Sequence, residues 1–370
     1  MKTRKITRAS ILIAVIFICF TSPRLVNNVS NRQVYASAAH VVTTAPFPFH
    51  YKPDYDSGWT PISKAEVKTF PHNLGGDPND YIVDLQYKDK TSGFGVNQED
   101  FGSEEYIDFF QSGIYIEKGA YWFALTDKDI AVKRQGNDVT AEEVRIRIWI
   151  THTPDFDSNW KAVPPNTFLQ AIDHNLGGST HDYIVDMQFR DLAVSGLGVH
   201  NYGYGMINAY VDKFAKQPAS WGGLWRNLSN ASIFVARGSI DSTADNFRIR
   251  IWKNKIPDYD SGWFELETQI TAHKMHNLKG DPDDYVVDLQ FRDTGDKGVN
   301  QQYYGSNSYT SPPDGTPLDR RGASWSNLNN THISVWREQD DGSAPEARVR
   351  IWVSKDYDED IYLPIILTKQ

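Results

Sequence analysis

The sequence predicts an all-β protein made of three tandem antiparallel β-sandwich domains of about 100 residues each. The first observation is a motif of eighteen residues that occurs three times: HNLGGDPNDYIVDLQYKD from His72, HNLGGSTHDYIVDMQFRD from His174 and HNLKGDPDDYVVDLQFRD from His276. The second is the alternation of apolar and polar residues in each copy, which is typical of a β-strand. The third is frequent punctuation by Gly, Pro, Asn and Asp, with almost no helical periodicity.

Recurring landmarks define the order and the bounds of the domains. Each repeat opens with a stretch similar to PDYDSGW and closes on a stretch such as VRIRIW. The step between copies is about 100 residues, which is the size of a domain and exceeds the 20–50 residues of a solenoid unit. The predicted domains cover 53–150, 154–253 and 257–354, after an N-terminal linker at 39–52 and before a C-terminal tail at 355–370.

Three strands can be placed in the first repeat, and the other repeats have counterparts. In Tyr81–Tyr87 the apolar side chains alternate with polar ones, and the same period of two appears in Val144–Trp149. A further strand is predicted at Asp129–Arg134. Asp84 and the arginines of the closing strand lie on the face opposite the predicted core. We interpret them as cross-strand partners, in preference to a binding role for Asp84 and its equivalents.

The first 38 residues are predicted to be a secretory signal peptide. A basic head precedes the apolar run Ile11–Phe20, and the small residues Ala36-Ser37-Ala38 follow. The run is shorter than the roughly 20 residues that span a bilayer, so cleavage near Ala38 is favoured, with an uncleaved anchor as the alternative. The only cysteine, Cys19, lies within the signal, so the mature protein has no disulfide.

The charge balance argues against two classes of partner. The chain has 38 basic and 47 acidic residues, a net charge of −9, and six of the basic residues but no acidic one precede residue 39. The mature form therefore has 32 basic and 47 acidic residues, a net charge of −15. Nucleic acid and anionic membranes both favour Lys/Arg-rich surfaces, so we predict a secreted or cell-surface protein with no nucleic-acid partner and no membrane insertion.

A segment of constant length but variable sequence separates two fixed landmarks in each repeat, and covers 97–121 in the first. We predict a surface loop, which is the usual location of recognition residues. Aromatic rings beside Asn, Gln and Asp suit sugar rings and suit protein partners as well, and the alternative is that they cover the open end of the sandwich. These aromatic residues are Phe101, Tyr106, Tyr115, Tyr202, Tyr204, Tyr210, Tyr303, Tyr304 and Tyr309.

Sequence motifs for catalysis are missing: HExxH, GxSxG, the Walker loop and CxxC do not occur. His72, His174 and His276 adjoin glycine turns, where a hydrogen bond to the backbone is favoured over a metal ligand. We predict no metal and no cofactor. The acidic turns are the candidates if calcium binds, although Ser179-Thr180-His181-Asp182 replaces most of the ligands in the second repeat. The calcium candidates are Asp77, Asp80, Asp281, Asp283 and Asp284.

The order of motifs resembles the H-type lectin domain of the snail agglutinins. That order is a Trp near the start, an alternating strand, GFGV at Gly93–Val96, a Trp-x-Asn such as Trp325-Ser326-Asn327, and strands that close on a Trp. The resemblance implies a six-stranded antiparallel sandwich, trimeric assembly and a site for N-acetylgalactosamine-type sugars. It also implies that Trp225-Arg226-Asn227 and Trp325-Ser326-Asn327 line that site, whereas the first repeat departs from the pattern with Trp122-Phe123-Ala124.

We therefore predict a non-enzymatic carbohydrate-binding protein with three binding modules, in which linked weak sites gain avidity for glycans or glycoconjugates. The three repeats are also expected to stand in for a trimer within one chain. An adhesive protein that contacts protein partners is the alternative, and a glycoside hydrolase is the more distant one, because paired carboxylates meet only in space. The predicted site residues are Trp122, Tyr202, Tyr204, Trp225, Arg226, Asn227, Tyr303, Tyr304, Trp325, Ser326 and Asn327.

Overall fold

The computed structural model describes residues 48–108, 114–151, 154–193, 196–210, 218–253, 255–306, 308–310 and 319–356. The predicted signal peptide, and with it the choice between cleavage and anchoring, lies outside these residues. Within them the protein is all-β, as predicted, and every named strand pair is antiparallel. The same described residues include four short 3₁₀ helices, at Pro48–His50, Pro78–Asp80, Thr180–Asp182 and Pro282–Asp284.

Each repeat contains ten strands in the same order. The first contains β1 (Tyr55–Asp56), β2 (Thr60–Pro61), β3 (Val67–Pro71), β4 (Tyr81–Lys88), β5 (Val96–Asn97), β6 (Glu104–Asp108), β7 (Ile114–Lys118), β8 (Ala120–Phe123), β9 (Asp129–Arg134) and β10 (Glu143–Ile150). The second contains β11 (Phe156–Asp157), β12 (Lys161–Ala162), β13 (Gln170–Asp173), β14 (Tyr183–Arg190), β15 (Val199–His200), β16 (Ile207–Tyr210), β17 (Pro218–Trp221), β18 (Gly223–Arg226), β19 (Ser232–Arg237) and β20 (Asn246–Lys253). The third contains β21 (Tyr259–Asp260), β22 (Phe264–Glu265), β23 (Ala272–Met275), β24 (Tyr285–Asp293), β25 (Gly298–Asn300), β26 (Ser308–Thr310), β27 (Asp319–Arg321), β28 (Ala323–Ser326), β29 (His332–Arg337) and β30 (Glu346–Val353).

Two sheets and a hairpin make up each repeat. In the first repeat a five-stranded sheet has the order β1-β10-β4-β5, with β2 also paired to β10, and a three-stranded sheet has the order β3-β9-β8. Strands β6 and β7 form a separate hairpin. The second repeat has β11-β20-β14-β15 with β12, β13-β19-β18 and β16-β17, and the third has β21-β30-β24-β25 with β22, β23-β29-β28 and β26-β27. Within the described residues, none of these sheets closes on itself.

Both sheets of a repeat contribute to one apolar core. Tyr81, Leu85 and Tyr87 of β4 are fully buried, in the same cluster as Ile130 and Val132 of β9. The predicted alternation in this strand is confirmed, and the two other predicted strands are present as β9 and within β10. The second and third repeats share a continuous apolar cluster, so their cores are not separated by solvent.

The opposite face of the large sheet is buried as well, which alternation alone does not predict. Ile82, Gln86 and Arg147 on that face are at most 2% exposed, because the other repeats cover it. Gln86 Nε2 donates to the carbonyl oxygen of Tyr285 in the third repeat at 3.2 Å. The side expected to meet solvent is therefore an interface between repeats.

Contacts between the repeats follow a cyclic order. A guanidinium of the first repeat reaches the third, one of the second reaches the first, and one of the third reaches the second. The Nη2-to-carbonyl bonds are Arg147 to Tyr285 at 2.7 Å, Arg250 to Tyr81 at 2.7 Å and Arg350 to Tyr183 at 2.6 Å. All the described residues accordingly belong to one compact unit, while the domain boundaries given above stay predictions.

Each of these arginines also pairs with the aspartate opposite it on the neighbouring strand, as predicted. The Nη2–Oδ2 distances are 2.7 Å for Arg147–Asp84, 2.8 Å for Arg250–Asp186 and 2.8 Å for Arg350–Asp288. The pairs are buried rather than exposed: the Arg147 side chain is 0% accessible. Loss of one partner from a buried pair costs about 3–5 kcal/mol, against a few tenths for an exposed cross-strand pair. Each of these guanidiniums thus binds both an aspartate of its own repeat and a backbone carbonyl of another repeat.

The segment 97–121, predicted as a surface loop, contains the hairpin strands β6 and β7 and the start of β8, so its described part is largely paired strand. Strands β6, β16 and β26 lie next to one another. The side chains of Tyr106, Tyr115, Tyr210 and Tyr309 lie outside the part of the chain that the structure describes.

Part of the predicted linker and the start of the predicted tail meet each other. Lys52 N donates to the Lys355 carbonyl at 2.9 Å, and Lys355 N donates to the His50 carbonyl at 3.0 Å. Phe49 packs edge-on against Trp149 with ring centroids 5.0 Å apart, over a small apolar cluster shared by the repeats. This end of the chain therefore covers apolar surface where the repeats converge.

Candidate functional site

The predicted site tryptophans are buried and hold the repeats together. Trp122, Trp225 and Trp325 are 2%, 0% and 0% exposed. Bonds to the next repeat join Trp225 Nε1 to Gln301 Oε1 at 3.0 Å, Trp325 Nε1 to Gln98 Oε1 at 3.0 Å, and the Trp122 backbone N–H to Asn201 Oδ1 at 2.8 Å. This corrects the expectation that their rings are open to a ligand, because the strands that carry them direct the rings into the core.

Tyr204 and Tyr304 are also buried, at the centre of the molecule. Together with Phe101 they form a triangle of edge-to-face rings with centroids 5.5–5.9 Å apart. Burial raises the pKa of the Tyr204 hydroxyl, which donates to Gln301. The triangle forms part of the lining of a cavity of about 110 Å³, room for a few water molecules but not for a sugar. These tyrosines are structural, which corrects their prediction as exposed loop residues.

Three equivalent crevices lie between successive repeats, and they differ in shape. We name them the first–second, second–third and third–first crevices. In each, one repeat provides the residue that follows its buried tryptophan (Trp122, Trp225 or Trp325). The next repeat provides residues that follow its fifth strand, which is β15, β25 or β5 respectively. The residues after the tryptophan are Phe123, Arg226 and Ser326 respectively. Arg226 shares its crevice with Gln302 of the next repeat and Ser326 shares its crevice with Glu99, whereas Tyr202 packs on Tyr121, beside Phe123.

The third–first crevice is a polar cavity of about 510 Å³. The indole of Trp336 forms part of its wall and is partly exposed. Its lining combines an aromatic face with carboxylate, amide, hydroxyl and cationic groups. The lining residues are Ser92, Gly93, Phe94, Glu99, Asp100, Lys118, Val139 and Thr140 of the first repeat, and Thr271, His273, Arg320, Ser326, Asn327, Trp336 and Glu338 of the third.

Two carboxyl groups in this crevice have a raised pKa. Burial raises the pKa of Glu99 well above its usual range and repulsion from Asp100 adds to this, while a hydrogen bond from the Ser324 hydroxyl opposes it. Burial raises the pKa of Glu338, although Arg320 and the indole N–H of Trp336 pull in the opposite direction. The crevice therefore contains two carboxyl groups that keep their protons to higher pH than an exposed glutamate does.

The backbone of the Trp-x-Asn motif shapes the rim of the crevice. Asn327 has φ 52°, in the left-handed region that asparagine tolerates better than most residues, and its N–H donates to the Phe94 carbonyl at 2.7 Å. Gly95 lies close opposite, since a Cβ there would be 3.2 Å from Asn327 Oδ1. Asn227 has the same φ and faces Gly298 in the same manner. Ala124 has φ 53° at the equivalent position of the first repeat, so the left-handed conformation recurs in all three repeats and asparagine in two of them.

The second–third crevice is smaller, about 220 Å³, and none of the described residues that line it is acidic. Arg226 is 7% exposed, with its guanidinium carbon 5.2 Å from the centre of the Phe168 ring. Tyr303, predicted as an exposed aromatic, is 7% exposed, and its hydroxyl accepts from Asn208 Nδ2 at 2.7 Å. Of the predicted site residues, Arg226 and Tyr303 therefore share one crevice, while Ser326 and Asn327 share the other.

The first–second crevice is occupied by the protein itself. The ring of Tyr202 packs on Tyr121 with centroids 4.8 Å apart, and Tyr121 in turn packs on Phe123 at 5.7 Å. The residue that corresponds to Glu99 and Gln302 thus covers the place where the other crevices open. This agrees with the departure of the first repeat from the motif at Trp122-Phe123-Ala124.

Sequence reasoning missed the residues that make the third–first crevice distinctive, above all Glu99, Trp336 and Glu338. Each lies at a position where the repeats differ. The positions equivalent to Trp336, for example, are occupied by Lys133 in the first repeat and by Ala236 in the second. A comparison of the residues at equivalent strand ends would have revealed these differences between the repeats. The residues that all three repeats share mark positions required for folding.

The histidine and acidic turns have local structural roles. His72 Nδ1 accepts from the Leu74 N–H at 3.3 Å, and the other two repeats have the same bond, which confirms the turn interpretation. Asp77 and Asp281 cap their 3₁₀ helices, a role that Ser179 takes in the second repeat. In the described part of the chain, no group of three or more His, Cys, Asp or Glu is placed to hold a metal ion.

Comparison with known proteins does not assign the chain. No protein-family model matches the sequence, and no curated protein is significantly similar to it. None of the helices among the described residues has the length and hydropathy needed to cross a membrane.

Proposed function

We propose that this is a carbohydrate-binding protein and that the third–first crevice is its principal site. The observation that supports this is the combination, in one cavity of about 510 Å³, of the Trp336 indole with the polar side chains of Glu99, Asn327 and Glu338. An aromatic face packs against the C–H side of a sugar ring, and carboxylate and amide groups bond its hydroxyls. Ligand pockets commonly have volumes of 300–1,000 Å³, so a mono- or disaccharide fits.

The proposed architecture is three β-sandwich domains that together replace a trimer of H-type lectin domains. The cyclic contacts between repeats support it, and so does the position of the crevices between one repeat and the next. We further propose export through the N-terminal signal, with a secreted or cell-surface location; the intact mass of protein from the culture medium tests this. No nucleic-acid partner is expected because of the acidic charge.

A glycan array tests the proposal, with and without calcium. The wild-type protein should bind a defined set of glycans, and Trp336→Ala should weaken that binding by about tenfold or more, since stacking on an aromatic ring contributes on the order of 1–2 kcal/mol. Alanine occupies the equivalent position in the second repeat, Ala236, so the strand accepts it.

The matched control is Met275→Ala on the same three-stranded sheet, a side chain that is 58% exposed and does not line the crevice. It should leave glycan binding unchanged. A blank array from folded wild-type protein would overturn the proposal and favour an adhesive protein with protein partners.

A glycoside hydrolase is the second candidate, because Glu99 and Glu338 face the same crevice and interact electrostatically. A carboxyl group with a raised pKa suits a general acid. Release of reducing sugar from array-positive glycans, lost in Glu338→Gln, would support hydrolysis. The absence of product under conditions that saturate binding would leave the protein as a binder.

A further inference from the structure

We propose that the second–third crevice is a second binding site, selective for sugars that carry a carboxylate, such as uronic or sialic acids. The sugar part of this inference rests on the proposed carbohydrate-binding function. The carboxylate part rests on Arg226 alone, because a guanidinium is the side chain best shaped to hold a carboxylate by two parallel bonds.

Arg226 is a buried cation without an anionic partner among the described residues. It is 7% exposed, its Nε has no hydrogen-bond partner, and no carboxylate pairs with it among the described residues. Its neighbour Arg237 differs, because that guanidinium is held by Asp241 at 2.7 Å and by Asp245 at 2.9 Å. Burial of an unpaired charge is costly, so the site gains stability when an anion enters.

The remainder of the crevice supplies groups for a sugar. Gln302 lines the same crevice, is 7% exposed, and has an Oε1 without a hydrogen-bond partner. Phe168, which lies beneath the Arg226 guanidinium, is 77% exposed and presents an aromatic face at the mouth. The hydroxyls of Ser220 and Ser239 lie in the wall. A small inorganic anion has no ring to pack on Phe168.

The lining chemistry separates this site from the third–first crevice. Glu99, Asp100 and Glu338 line that crevice, whereas none of the described residues that line the second–third crevice is acidic, and Gln302 occupies the place of Glu99. The unpaired Arg226 attracts an acidic sugar to the latter, whereas in the former the three acidic residues stand beside the cations Lys118 and Arg320. The two crevices therefore differ in their preference for acidic ligands.

Calorimetric titration of the purified protein with three paired probes tests the inference. Glucuronate, galacturonate and N-acetylneuraminate are compared with glucose, galactose and the methyl ester of N-acetylneuraminate, and acetate is added as an anion without a ring. At least one acidic sugar should bind at least about tenfold more tightly than its neutral partner and than acetate. Acetate binding equal to that of the best acidic sugar, or no preference for the acids, overturns the proposal.

Variants locate the site and separate its failure from that of the principal site. Arg226→Gln should weaken acidic-sugar binding by about tenfold or more, whereas Trp336→Ala should leave it unchanged. Gln302→Glu introduces the residue that Glu99 provides in the first repeat and gives Arg226 a carboxylate of its own, so it should also abolish binding. Unchanged acidic-sugar affinity in both folded variants overturns the second site, and loss in Trp336→Ala alone assigns that ligand to the other crevice.

Discussion

The third–first and second–third crevices have the same strands and equivalent positions but different chemistry. The former contains Trp336, Glu338 and Glu99, and the latter has Ala236, Gly238 and Gln302 in their places. The volumes differ as well, at about 510 Å³ and about 220 Å³, although the wider crevice has the larger side chains at these positions. The repeated scaffold thus provides one location three times, and the residues that line it decide what enters.

This difference changes the meaning of the repetition. Three equal sites would gain avidity for a repeated ligand. Here one crevice is wide and acidic, one is narrow and holds an unpaired arginine, and one is covered by Tyr202. The features that repeat without change, such as Arg147 and Asp84, lie instead in the interfaces. The repeats therefore maintain a common assembly, in which the crevices have diverged.

The largest expected effect comes from the buried arginines at the interfaces between the repeats. Arg147→Met, at the interface of the third and first repeats, should lower the free energy of unfolding by about 3–5 kcal/mol, because Asp84 is left buried without its partner. Arg350→Met should do the same at the interface of the second and third. Urea unfolding with a fluorescence readout measures both.

The double variant Arg147→Met/Asp84→Leu is the control, since removal of both charges avoids the unpaired aspartate. It should recover most of the lost stability. A cost below about 1 kcal/mol for the single variant would mean that these pairs do not set the spacing of the repeats.

Much of the fold was predictable from the sequence because strands have a local signal. Strand β4 shows the period of two, and Tyr81 and Leu85 face the core as expected. The other face was not predictable, since the burial of Arg147 depends on a repeat more than a hundred residues away. The crevices were missed for the same reason: Glu99 and Trp336 meet only through the assembly. The buried tryptophans illustrate the converse, since a recurrent aromatic residue was interpreted as a binding group.

A medium effect is expected at the covered crevice. Tyr202→Ala removes the ring that packs on Tyr121, and it should lower the free energy of unfolding by about 1 kcal/mol. Sugar binding at the other two crevices should not change, because neither contains Tyr202. Thermal unfolding and titration with array-positive glycans measure the two effects, and Tyr202→Phe serves as the control that keeps the ring. A loss of glycan affinity in Tyr202→Ala alone would show that the crevices are coupled.

The smallest expected effect is that of Glu99→Gln, which replaces the glutamate of the third–first crevice by the residue that the second–third crevice has as Gln302. Burial raises the pKa of Glu99 in the folded protein, so the folded state holds its proton to higher pH than the unfolded chain does. Stability from this group is thus greatest below its ordinary pKa and declines as pH rises towards the raised value. Glu99→Gln gives the first repeat the residue that the third repeat has at this position, Gln302. The substitution removes the decline in stability with rising pH that Glu99 causes.

We expect Glu99→Gln and the wild type to have similar melting temperatures near pH 4, whereas at pH 7 the variant should melt on the order of 2 °C higher. Differential scanning calorimetry between pH 4 and 8 measures this. Glu338→Gln should shift the profile in the same direction, since burial also raises the pKa of Glu338. A variant less stable than wild type at pH 7 would show that the charge of Glu99 stabilises the fold. The third–first crevice would then owe its acidic lining to folding, and its contrast with the second–third crevice would no longer point to ligand selection.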